Sequence, residues 1–228
     1  MRFRLLPLLC PLLLLSCADA PTPAPEAEGM KAVTAVFGGS VDTARRAPRN
    51  FVLTLARSAA VDNNYFPSNK HVASGAAYAF YEGLGAAAGR YDSIVVGVQP
   101  TGRPLEEATF SHAQLAEAAS VMPFVQELTG RLRRKQYEGL ANYFAYDPAL
   151  MTRPLDSVLA TLRAQTERNR YDTFQPTGFR PMERPGSNRL IVVSGLLSQD
   201  GGKPTPFSVA VDPASQPRKA YFALFALY

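Results

Sequence analysis

Along the chain the apolar positions follow two periods, and the change from one to the other organises it. Asn50–Ser58, NFVLTLARS, sets Phe51, Leu53 and Leu55 against Val52, Thr54 and Ala56, the period of two of a strand with one mixed face. Turn formers fill Asp62–Asn69, and Ser68 is placed to cap a helix running to about Ala88. Val72, Ala76, Ala79, Phe80 and Leu84 fall on one side of that helix, and Gly89 is its expected terminator. Asp92–Gln99, DSIVVGVQ, is a second predicted strand, Pro100–Pro104 a turn, and LEEATF a short edge strand.

The next stretch returns to helical spacing. Ser111 with Gln114 forms a capping box opening a helix that carries Leu115, Ala118, Met122 and Val125, with a kink or break expected at Pro123. Apolar residues resume at Leu128, Leu132, Leu140 and Phe144. Thr152 and Pro154 start another helix with Leu155, Val158, Leu159 and Leu162 as its stripe. The period then falls to two for good. Arg189–Ser198, Pro206–Asp212 and Lys219–Tyr228 are strands separated by DGG and DPASQP, and a strand around Phe179 is a candidate fourth. The fold class is α+β: an antiparallel C-terminal meander packed on helices, with an N-terminal strand–helix–strand unit. The halves, 30–110 and 111–228, are either two units or one continuous domain. The first and last of the three clearest strands are apolar on both faces, so both faces need cover. Helices followed by a curved meander resemble the cone-shaped fold of nuclear transport factor two-like proteins, over about half the chain and without a signature motif.

The N-terminus has another character. Residues 1–16, MRFRLLPLLCPLLLLS, join a basic start at Arg2 and Arg4 to an apolar run, Leu5–Leu15, too short for the roughly 20 residues of a membrane span. The run stops at Cys17. The junction LLSC resembles the lipobox of bacterial lipoproteins, with Leu14 three residues before the cleavage point, Ser16 just before it and Cys17 just after. Leu15 is bulkier than the small residue usual between them, and Cys10 follows a leucine too bulky for cleavage. The resemblance implies a signal peptide over 1–16, diacylglycerol on the Cys17 sulfur, and acyl chains such as palmitate anchoring the protein in membrane lipid. It also implies a place in the bacterial cell envelope. Ala18, where an acidic Asp would hold such proteins at the inner membrane, favours the outer one. Residues 17–29 read as the lipidated cysteine and a Pro-rich tether.

Composition narrows the chemistry. Hydrophobic residues make up 46% and charged residues 19%, the balance of a globular chain. Arg2 and Arg4 supply two of the +5 formal charges, and the +3 left after residues 1–16 is too small to call for nucleic acid. Both cysteines, Cys10 and Cys17, precede the folded part, which therefore has no thiol chemistry and no thiolate metal ligand. GLGAAAG, Gly83–Gly89, has the wrong spacing for a dinucleotide loop and reads as a small-residue helix end. The two histidines, His71 and His112, lie near helix starts without metal-binding spacing; Ser74 is one turn from His71. RLRRK, Arg131–Lys135, reads as a helix face with Glu127 and Glu138 as partners, or as an anion contact. The clusters at 78–81, 142–146 and 221–225 read as aromatic packing. No metal and no cofactor is implied. The leading reading is a non-enzymatic envelope lipoprotein binding a protein partner or an apolar ligand. The rivals are a cone-fold hydrolase or isomerase using Asp147, Asp172 or Glu183, and an envelope assembly subunit.

Overall fold

Two four-stranded sheets are joined through one buried helix. The computed structural model describes residues 24–63, 65–148, 150, 153–184, 189–199 and 202–225. In chain order the elements are α1 (Pro25–Phe37), β1 (Ser40–Ala47), β2 (Asn50–Ala56), α2 (Ala59–Asp62), α3 (Asn69–Leu84), β3 (Ser93–Gln99) and β4 (Glu106–Ser111). They continue with α4 (His112–Arg133), α5 (Leu155–Arg168), β5 (Thr173–Met182), β6 (Leu190–Ser198), β7 (Thr205–Val211) and β8 (Ala220–Phe225). The first sheet has the order β1-β2-β3-β4 and the second β5-β6-β7-β8. The second is the expected antiparallel meander, with the strand around Phe179 as its fourth member.

In the first sheet β2 and β3 run parallel, linked by α3, while β1 and β4 add antiparallel at the edges. Register pairs Phe51 with Ile94, Leu53 with Val96 and Leu55 with Val98, so one face of the sheet is a continuous apolar layer. All six side chains are buried. Helix α3 covers this layer. Its cap is the expected one, with the Ser68 hydroxyl accepting from the His71 N–H at 3.2 Å. Every residue from Val72 to Phe80 is buried, because α1, the first sheet, β5 and α4 all pack on α3. The two halves therefore share one apolar core, running from Val33 to Ala223.

Several expectations are corrected. The helix begins at Pro25 and takes in Gly29, residues read from the sequence as tether; Glu26 and Glu28 in its first turn suit its positive end. Gly85, with φ of 53°, caps α3, and residues up to Arg90 continue as a 3-10 turn, so Gly89 is not the terminator. α4 keeps its helical path through Pro123. Pro123 is exposed, so its ring projects into solvent instead of a neighbouring element. The capping box at Ser111 forms, Gln114 N–H donating to the Ser111 hydroxyl at 3.2 Å and Ser111 N–H to Gln114 Oε1 at 2.9 Å. Residues 1–23, including the signal segment and Cys17, and the end of the last strand at 226–228 lie outside the described residues.

The meander uses its two apolar faces unequally. Ile191, Val193, Leu197, Phe207, Val209 and Ala223 join the main core, against the helices. The other face forms a small second cluster of Leu190, Val192 and Ala210, flanked by Met182, Tyr221 and Phe222. That second face is only partly covered, and the uncovered part becomes a groove wall.

Candidate functional site

The N-terminal turn of α3, the edge of β4 and the second face of the meander enclose an open groove of about 920 Å³. Val192 of β6, Phe222 and Leu224 of β8, and Ser194 and Ser208 form one wall; Glu106 to Phe110 form the other; Lys70, His71 and Ser74 form the floor. Register explains the first wall. Gly178, Ser194, Ser208 and Leu224 lie in one row across β5 to β8, and Arg180, Val192, Ala210 and Phe222 in a neighbouring row on the same face. The Ser194 and Ser208 hydroxyls share one hydrogen bond at 2.8 Å, which lowers the cost of placing two polar groups in an apolar surface.

His71 is the floor's central side chain. Its ring packs on Gly178, where an added Cβ would lie 2.7 Å from Cε1, and lies near Phe66 with ring centroids 6.2 Å apart. Nε2 is 3.1 Å from the Thr177 hydroxyl, which donates onward to the Ser194 carbonyl at a long 3.5 Å. Burial, helped by the nearby Arg180 guanidinium, pushes the imidazole pKa down to about 4. The Ser74 hydroxyl donates to the His71 carbonyl at 2.8 Å and accepts from the Phe179 N–H at 3.0 Å. It ties α3 to β5 and is not aimed at the imidazole, so His71 and Ser74 do not form a nucleophile–base pair.

The other sequence candidates disperse. Asp147 is buried in an ion pair with Arg184 at 2.6 Å, and the Arg184 guanidinium lies over the Tyr221 ring at 4.7 Å. Asp172 precedes β5 and Glu183 follows it, so roughly 30 Å or more of strand separates them. These three carboxylates do not converge on one reacting position. His112 packs edge-on against Tyr81. The basic run is spent on intramolecular contacts: Arg131 donates to the Tyr143 hydroxyl at 2.8 Å, Arg133 to the Asp172 carbonyl, Arg134 to Gln136 and Lys135 to the Glu167 carbonyl. Among the described residues no group of three His, Cys, Asp or Glu side chains is placed to hold a metal, and no helix is long and apolar enough to cross a membrane.

The groove residues themselves carried little sequence signal. Arg180, Phe222 and Leu224 look like ordinary strand residues. The trace the sequence holds is Ser194 and Ser208, hydroxyls in the interior of two largely apolar strands. Comparison with known proteins finds no matching family, no similar curated protein and no matching solved structure.

Proposed function

We propose that this chain is a lipid-anchored protein of the bacterial cell envelope, attached through Cys17 and favouring the outer membrane, that binds a protein partner or an apolar ligand and catalyses no reaction. The LLSC junction supports the anchor. The binding role rests on one observation, the open groove whose meander wall presents Val192, Phe222 and Leu224, with the Ser194 and Ser208 hydroxyls bonded to each other and His71 bonded to Thr177. Such a surface favours complementarity over bond making. Glu106 and Glu107 also line it, but neighbours on a strand point to opposite faces, and Glu106 accepts from Asn69 at 2.8 Å. The anchor is tested by metabolic labelling with a palmitate analogue and membrane fractionation. The wild-type chain is expected to be labelled and to sediment with envelope membranes, and Cys17→Ala to be unlabelled and released or blocked in maturation. If both fractionate alike as soluble protein, the anchor is wrong.

A further inference from the structure

We propose that the groove is a strand-addition site. An extended peptide segment of a protein partner, apolar at alternate positions and carrying one carboxylate, would add to the free edge of β4 as a fifth strand, with its carboxylate on Arg180. This rests on the protein-partner half of the function proposed above.

Three observations converge. First, β4 ends its sheet, and among the described residues no strand pairs with its outer side. Among the described residues, no backbone hydrogen bond outside the β3 ladder reaches residues 106–110 either. An edge strand leaves a row of N–H and C=O groups that another backbone can satisfy. An alkyl chain has nothing to offer them, so the edge favours a peptide over a lipid.

Second, Glu106, Glu107, Ala108, Thr109 and Phe110 all line the groove. Successive strand side chains alternate between faces, so an unbroken run of lining residues means that the groove follows the strand edge. β4 has six residues, which extend about 20 Å, the reach of a peptide strand of the same length. The facing wall offers Val192, Phe222 and Leu224, and Leu224 stays 44% exposed although it is apolar. Backbone pairing on one side and apolar contacts for alternate side chains on the other is the arrangement of β-augmentation.

Third, charge is left open where the peptide would lie. Arg180 and Lys70 are exposed on the groove, and no ion pair joins either to a carboxylate among the described residues. Glu106 is held by Asn69 at the start of β4, while Arg180 stands on the opposite wall. A guanidinium so placed suits a peptide carboxylate.

The test selects from a random heptapeptide library on the immobilised full chain, then follows amide exchange with the enriched peptide bound. The expected results are an alternating apolar motif with one acid, and protection of amides within 106–110. N-methylation of alternate peptide nitrogens should weaken binding by about tenfold or more. Arg180→Glu should also cost about tenfold, recovered when the peptide acid becomes Lys; Arg180→Gln is the milder version if the reversal disturbs folding. No enrichment, protection elsewhere, or indifference to N-methylation overturns the proposal. A fluorescent sixteen-carbon fatty acid is run beside the peptides. If it binds in the groove while no peptide enriches, strand addition is wrong and the apolar-ligand half of the proposed function stands. If neither binds, the groove-binding reading falls as well.

Discussion

Gly29 of α1 and Gly83 of α3 are in backbone contact: a Cβ on Gly83 would stand 2.6 Å from the Gly29 Cα. On the other side of the crossing, a Cβ on Gly29 would lie 2.6 Å from the Phe80 ring. The two helices approach this closely because both facing positions, Gly29 and Gly83, are glycine. Gly83→Ala should therefore lower stability by about 1–3 kcal/mol, even though alanine favours a helix by about 1 kcal/mol. Gly89→Ala meets nothing within 4 Å and should be neutral. Urea denaturation of both variants distinguishes a packing cost from a helix-propensity effect.

The Asp147–Arg184 pair fastens the segment before α5 to the end of β5. Side-chain exposure is only 8% for Asp147 and 21% for Arg184, so removing the arginine takes a 2.6 Å ion pair from a buried carboxylate. Arg184→Met should cost about 3 kcal/mol. Adding Asp147→Leu should return part of that loss, because the double change also removes the cost of burying the carboxylate. A double-mutant cycle by chemical denaturation reads the coupling; simple additivity would mean that the pair does not hold the segment.

Acid should act on His71. Its folded-state pKa of about 4 lies below the ordinary 6.5, so the fold holds the neutral ring. Above pH 6.5 neither state binds the proton and the full stability is present. Between pH 6.5 and pH 4 the unfolded chain takes up a proton that the folded chain refuses. Stability therefore declines across that window, by on the order of 3 kcal/mol in all. His71→Gln should flatten this part of the profile. Thermal melts at pH 7, 5.5 and 4 check it, and an equal decline in both proteins would assign the acid loss to other groups.

Pro123 sits on the exposed side of a continuous helix and removes one main-chain donor there. Pro123→Ala should restore that bond and raise stability by about 1–3 kcal/mol. A lowered melting temperature would show that the ring makes contacts the helix needs.

Local chemistry made most of the elements readable. Ser68 and Ser111 announce their helices by the bonds they form, and the apolar runs of β6 to β8 between turn formers announce the meander. What escaped had no such pattern. β1, SVDTARRA, is too polar to alternate, and its strand state comes from pairing with β2. α1 looks like linker because prolines and acids surround its start, and Gly29 at its crossing is a residue that propensity reads as a break. The groove was the least readable feature. His71, Thr109, Arg180 and Leu224 come from four separate segments, and only the placement of β5 against α3 brings them together.

The position of α3 between the two sheets bears on the order in which the chain can fold. The Ser74 hydroxyl finds the Phe179 N–H 105 residues further on, and Gly75 faces the Thr177 carbonyl so closely that a Cβ would stand 1.9 Å from it. Until β5 has been made, one side of the most buried helix has nothing to lie against, and non-local closure of this kind is slow. A chain stopped near residue 110 would keep that surface bare. This is late commitment: the N-terminal half locks only when the C-terminal strands have formed against α3.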